Sequence, residues 1–193
     1  MEDMKQQAIS NKMKAYVCSI GEKTTALCVE QLEKFGFDVT VLNEIEPWVD
    51  KYKRFIKTAE EDCIRIDADI LVNKNIRLVG LDIPDSAYAV GHATYDMYQN
   101  MINTGGPVFY TKKALDIIRK NLDKIGTFRP EVTAVRLPEM EGHVDIRDLI
   151  IGIHGVGQDQ EAIERAKQNK INRKQIQNYD FELVEKLNNL CKS

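Results

Sequence analysis

An alternation between two hydrophobic periods in the first third of the chain restricts the fold more than anything else in the sequence. Residues 15–20 (AYVCSI) form a short β-rich run that stops at Gly21. Ala26, Val29, Leu32 and Phe35 then recur at helical spacing up to Gly36, a residue suited to ending a helix. Residues 37–42 (FDVTVL) return to β-formers. Pro47 stands where a second helix begins, with Trp48, Tyr52, Phe55 and Ile56 along one stripe. Residues 63–66 (CIRI) are again strand-like and run straight into Asp67. Strand, helix, strand, helix, strand at this spacing predicts a parallel sheet with crossover helices, an α/β fold.

The rest of the chain is less regular. Residues 76–81 and 107–110 are candidates for further strands. Residues 111–125 predict an amphipathic helix with Leu115, Ile118, Leu122 and Ile125 on one face and Gly126 after it. Residues 161–177 carry five Lys or Arg against two Glu and have poor apolar periodicity. Asp180 then opens a last amphipathic helix with Phe181, Val184, Leu187 and Leu190. No repeat or Pro/Gly/Ser linker divides the 193 residues, so one domain is expected over 1–193. Its ligand-binding half is expected at about 14–75, with the remainder and a C-terminal lid and helix at about 76–193.

At 43% hydrophobic residues the chain can bury a real core. Its 27 Lys and Arg against 30 Asp and Glu leave a net charge of −3, which argues against nucleic acid as the partner. No apolar run approaches the roughly 20 residues of a membrane span, and the polar N-terminus lacks a secretion-signal core, so a cytoplasmic location is expected. Cys18, Cys28, Cys63 and Cys191 show no zinc-ligand rhythm, and Cys18 and Cys63 read as small core hydrophobes.

The segment CIRIDADILVN, residues 63–73, is the most informative for chemistry. Asp67 and Asp69 form a D-x-D at the end of a buried-looking strand, and ligands of open α/β sheets bind at that carboxyl edge. Two carboxylates with no base between them repel each other and favour a divalent cation; oxygen ligands suit Mg²⁺ or Mn²⁺ bridged to phosphates. The plain alternative is a pair of turn carboxylates capping backbone amides.

With these residues the sequence resembles the GT-A nucleotide-sugar glycosyltransferases, whose sheet delivers a D-x-D to a metal bound by the donor diphosphate. The loop Ser19-Ile20-Gly21-Glu22 looks like the place where such enzymes receive the nucleotide base. TAEEDCIRIDADILVN resembles the family's approach to the D-x-D. Gly105-Gly106 ahead of PVFY looks like its glycine-containing acceptor-side loop, and His154 in GIHGVGQ resembles a late histidine that adds a metal contact. The resemblance implies a Rossmann-type fold with a mixed central sheet and flanking helices. It implies transfer of a sugar from a nucleotide-diphosphate donor to a hydroxyl acceptor. It also implies Mn²⁺ or Mg²⁺ held by Asp67, Asp69 and His154, with Ser19, Gly21, Glu22, Arg65, Asp67, Ala68, Asp69, Gly105, Gly106 and Lys170 around the donor. The acidic dyad found on the acceptor side of many inverting members has no clean counterpart, and Glu131 in Arg129-Pro130-Glu131 is the nearest general base.

Each assignment has a plainer counterpart. Glu131 reads equally as a solvated loop carboxylate, and Gly105-Gly106 as a tight turn rather than a close approach to sugar. His154 sits among glycines and reads as a loop histidine, a ligand or merely exposed. Arg165, Lys167, Lys170, Arg173 and Lys174 read as a lid over a diphosphate, hinged near His154, or as a solvated helix face. Arg54 reads as a helix-surface charge, and His92 and His143 as ordinary histidines. Two other functions compete: a non-catalytic nucleotide-sugar-binding or protein-interaction module on the same fold, and a D-x-D phosphohydrolase, which expects its motif on the first strand. Donor sugar, acceptor and oligomeric state, a homo-oligomer included, are left open.

Overall fold

The computed structural model describes residues 12–157 other than 82 and 84, together with 161 and 164. The predicted alternation is present as β1 (Lys14–Cys18), α1 (Thr25–Lys34), β2 (Asp38–Leu42), α2 (Trp48–Thr58) and β3 (Cys63–Asp67). Strands β1, β2 and β3 are parallel, with β1 between the other two. Residues Asp67 to Asp69 then turn the chain into β4 (Ile70–Val72), and a 3-10 turn follows at Lys74–Leu78 where residues 76–81 were expected to be extended. Asn73 starts that turn by accepting the Asn75 amide at 2.8 Å, a local side-chain bond that competes with strand pairing.

The remaining strands are β5 (Tyr88–Asp96), β6 (Met101–Asn103), β7 (Val108–Tyr110) and β8 (Gly142–His154). They complete a mixed sheet in the order β2-β1-β3-β7-β5-β8-β4, with β6 paired to β5. Between β7 and β8 lie α3 (Lys112–Lys120) and the short α4 (Pro130–Ala134). The expected 111–125 helix stops earlier, at Lys120, and Leu122–Lys124 continue as a 3-10 turn. Thr111 caps α3 by accepting the Ala114 amide, an arrangement that contributes about 1 kcal/mol.

Period-two alternation in the strands sorts the core into two layers. Tyr16, Cys18, Cys63 and Tyr110 face Tyr52, Phe55 and Ile56 of α2 and Leu115 and Ile118 of α3. Ala15, Val17, Ile64, Ile66 and Phe109 face Cys28 and Leu32 of α1. A sheet covered on both faces explains why β1 and β3 read as continuous apolar runs. Cys18 and Cys63 are buried as expected, and burial pushes the Cys18 thiol up to about 12.

Two features place the functional region. The chain leaves β1 to form β2 on one side and returns to form β3 on the other, so the carboxyl ends of β1 and β3 flank a topological switch point. Across it, Cys18 and Asp67 are register partners. In addition, β8 runs parallel to β5 and brings His154 opposite Asp96, while its antiparallel pairing with β4 brings His154 opposite Ile70. No helix among the described residues is long and apolar enough to cross a membrane.

Candidate active site

The loop after β1 is built from its own side chains. Ser19 Oγ donates to Glu22 Oε2 at 2.7 Å, and the same carboxylate oxygen accepts the Ile20 amide at 2.7 Å. The Gly21 amide donates to Ser19 Oγ at 3.0 Å. This leaves Ile20 largely exposed at the mouth of a cavity of about 370 Å³, which Glu22, Lys51, Arg65, Asp67 and Asp69 also line. Lys51 reads from sequence as one more charge on α2, yet it is fully buried, and its Nζ donates to the carbonyls of Ser19 and Leu42. It therefore ties together the ends of β1 and β2.

Alternation along CIRID puts Cys63, Arg65 and Asp67 on one face of β3. Arg65 is 1% exposed; its Nη1 donates to Asp67 Oδ1 at 2.9 Å and its Nη2 to the Gly106 carbonyl at 2.7 Å. Its guanidinium also lies over the Trp48 ring, 5.1 Å from the centroid. Burial opposes the charge on Arg65, but Asp67 together with Tyr110, Cys18 and Glu131 outweighs it and the group stays cationic. So Arg65 lines the smaller cavity while binding the first aspartate and the glycine loop to each other. Gly106 is needed there for close approach: a β-carbon on it would lie 2.4 Å from Ile70 Cδ1 and 4.0 Å from Asp67 Oδ2.

The turn between the two aspartates is fixed through its backbone. The Ala68 amide donates to the Cys18 carbonyl at 3.0 Å, and the Ala68 carbonyl accepts Thr24 Oγ1 at 2.9 Å. The Asp69 carbonyl accepts the Gly155 and Val156 amides at 3.0 and 3.3 Å. Burial lifts the Asp67 carboxyl above its usual range and the Asp69 charge adds to this, against the pull of Arg65. Burial would lift Asp69 as well, but the charge and hydrogen bond of His154 together with a backbone hydrogen bond outweigh it, and the group sits below its usual range.

His154 is not in a loop. It is the last residue of β8, with Nε2 3.4 Å from Asp69 Oδ2 and Nδ1 3.2 Å from Asp96 Oδ2. The neighbouring Gly152 is not a hinge either: a β-carbon there would lie 2.5 Å from the Leu71 carbonyl oxygen, so the glycine admits β4. Burial works against charge on the imidazole, yet Asp69 and Asp96 together hold its pKa well above the ordinary value. Tyr98 packs edge-on against the ring at 5.7 Å. Asp96, fully buried at the end of β5, is a functional candidate that sequence reading missed. The signal was an aspartate closing a strand, as at Asp67, hidden by a Gly-His-Ala stretch that weakens the β pattern.

Glu131 stands in α4 rather than in a solvated loop. Its Oε2 accepts Trp48 Nε1 at 2.9 Å, and Oε1 lies 3.4 Å from Arg129 Nε. Trp48, expected only as part of a core stripe, thus joins Glu131 to Arg65. A larger cavity of about 730 Å³ opens beside this group. Both cavities are lined by Trp48, Asp67, Gly105, Glu131 and His154, which marks where they meet. Of the other sequence candidates, Arg54 pairs with Glu44 and Glu46 on the surface. His143 pairs with Asp145, and His92 is buried in β5. Lys170, the basic stretch around it, the final helix and Cys191 lie outside the described residues. Among the described residues, no group of three or more His, Cys, Asp or Glu side chains is arranged to hold a metal ion by itself.

Comparison with known proteins agrees with this architecture. The structure superposes on a glycosyltransferase involved in the glycosylation of the major capsid of PBCV-1 with a TM-score of 0.52 and 16% identity, covering 81% of this chain and 99% of that one. A hypothetical transferase from Thermus thermophilus gives a TM-score of 0.50 at 13% identity, covering 79% of this chain and 99% of that one. No protein-family model matches the sequence, and no curated protein matches it. At these identities the likeness establishes the fold: a mixed α/β sheet with flanking helices, of the kind glycosyltransferases use.

Proposed function

We propose that the protein is a glycosyltransferase that moves a sugar from a nucleotide-diphosphate donor to a hydroxyl acceptor, assisted by Mn²⁺ or Mg²⁺ at Asp67 and Asp69. The observation that carries this reading is the junction of two cavities at the switch point, with carboxylates and a histidine on its walls. The smaller cavity, beside the β1 loop, takes the nucleotide half of the donor, and the larger takes the acceptor.

The residues suit a hard divalent cation shared with a diphosphate. Asp67 and Asp69 supply oxygen donors, and Asp69 charge raises the cost of ionising Asp67, a cost that a cation removes. Among the described residues no protein triad stands ready, so a cation held by Asp67 and Asp69 would depend on the donor diphosphate as well. The cation, when bound, offsets the charge that gathers on the departing nucleoside diphosphate. His154 is held as a cation between Asp69 and Asp96 and adds a further positive group to that wall.

The chain's own groups do the remaining work. Arg65 keeps Asp67 and the Gly106 carbonyl in one place, which fixes the wall against which the sugar rests. Trp48 orients Glu131 through its Nε1 hydrogen bond and leaves Oε1, held only at 3.4 Å, to take the acceptor hydroxyl proton. Glu131 lines both cavities, so the deprotonated acceptor attacks the anomeric carbon as the bond to the diphosphate breaks.

A thermal-shift screen of nucleoside diphosphates and their sugars, with and without Mn²⁺, tests the class through the linkage of binding to stability. One nucleoside diphosphate should raise the melting temperature only with metal, and Asp69→Ala should fold but lose that metal-dependent rise. An equal rise in parent and variant would remove Asp69 from the site. Metal-dependent binding without turnover of any nucleotide sugar would favour a binding module instead.

A further inference from the structure

The larger cavity carries more information than a place for a hydroxyl. Its acidic groups are already engaged: Asp67 with Arg65, Asp96 with His154 and Gln99, and Glu131 with Trp48. Its arginines are not engaged in the same way. Arg147 pairs with no carboxylate among the described residues, and Arg129 reaches only Glu131, at 3.4 Å with 43% of its side chain exposed.

Both arginines are delivered by breaks in regular structure. The β5–β8 register runs through His92↔Ile146 and resumes at Ala93↔Ile150, so residues 147–149 leave the ladder and Arg147 is carried onto the cavity. Arg129 sits at φ +54, a left-handed conformation uncommon for a residue with a β-carbon. The cavity also offers apolar surface: Met101 and Ile102, which line it, are 47% and 39% exposed.

Resting on the glycosyltransferase reading, we infer that the acceptor carries an anionic group, a carboxylate or a phosphate, which Arg147 anchors. A guanidinium presents a planar fork that matches either anion in two parallel hydrogen bonds. A neutral acceptor would gain only ordinary hydrogen bonds from Arg147, without the opposite charge that strengthens them.

The test uses the full chain and three probes: 4-nitrophenyl β-glucoside, 4-nitrophenyl β-glucuronide and glucose 6-phosphate. The first two share ring and aglycone and differ in a carboxylate; the third separates phosphate from carboxylate recognition. Ligand-observed NMR titration at low salt should show at least one anionic probe binding about tenfold or more tightly than the neutral glucoside, with the preference shrinking as salt rises. Arg147→Gln should reduce the anionic probe to the neutral level, and Arg147→Lys should restore only part of the difference. Arg147 is exposed, so neither substitution disturbs a core. Equal affinity for charged and neutral probes, including no binding of any, overturns the inference, and so does a preference that survives in Arg147→Gln. Metal-dependent nucleotide binding is measured on the same samples. Its absence in the parent overturns the glycosyltransferase reading, whatever the anion preference shows.

Discussion

His92 should make the protein's stability fall with acid in a way that one substitution removes. The side chain is 1% exposed, and neither ring nitrogen has a hydrogen-bond partner among the described residues. Burial alone depresses its pKa from 6.5 to about 4. The folded state therefore holds the ring neutral while the unfolded chain takes up a proton below pH 6.5. Stability from this group is fully present above pH 6.5, is lost as pH falls, and levels off below about pH 4. Integrating the linkage between pH 7.5 and pH 5 gives a loss of about 2 kcal/mol from His92 alone. His92→Leu cancels that loss. At pH 7.5 it also removes two unpaired polar atoms, a gain of roughly 1–3 kcal/mol that offsets the imperfect fit of a new side chain. Urea unfolding of parent and variant at the two pH values measures the difference directly, because other titrating groups cancel between the two chains. His92→Met, with its flexible stem, repeats the test if leucine packs badly. Parallel pH dependence in parent and both variants would mean that the ring reaches a partner or water, and the reasoning would fail.

Three further outcomes follow from the site. Arg65→Lys should lower unfolding free energy by roughly 3 kcal/mol, since a single Nζ replaces the two separate Nη groups that reach Asp67 and the Gly106 carbonyl, and the planar contact with Trp48 is lost; unchanged urea midpoint and unchanged metal-dependent nucleotide binding would contradict the bracing role. Gly106→Ala should cost about 1–3 kcal/mol through contact with Ile70, and Ile70→Val in the same chain, which deletes the offending Cδ1, should return part of it. Additive effects in that double variant would show that the two residues do not touch. Trp48→Phe keeps a ring beneath Arg65 but deletes the donor to Glu131, so transfer should slow roughly tenfold or more while the donor's KM holds; a changed KM with normal turnover would place Trp48 on the donor instead.

Much of the first half of the fold was legible because two periods alternate cleanly between residues 14 and 67, and parallel strands covered on both faces must be apolar throughout. The long strands β5 and β8 were not. Tyr88–Asp96 contains Gly91 and two alanines, and β8 departs from its ladder between Ile146 and Ile150, so neither shows an even period. That failure explains the site as well. Asp67 and Asp69 were readable from the strand before them. His154 looked like a loop residue because its strand was unseen, and Asp96 was missed for the same reason. Trp48 and Lys51 were hidden differently: each lies on a helix whose apolar stripe already explained the local pattern. Their attachments, to Glu131 and to the Ser19 carbonyl, join residues far apart in sequence, and no local period reports such a contact.

Among the described strands, β4 has a single neighbour, β8, and Ile70 pairs with His154 across more than about eighty residues of chain. The order of synthesis gives this pairing a consequence. Both aspartates are made early, on a segment whose downstream strand has nothing to join until β8 exists. Closing so long a loop costs entropy that only the late contacts return, so pairing of β4 is among the slower steps expected of this topology. A nascent chain ending anywhere before β8 therefore carries the acidic motif without the histidine or the strand that fixes it. The same dependence means that parting β4 from β8 alone would be enough to separate Asp69 from His154.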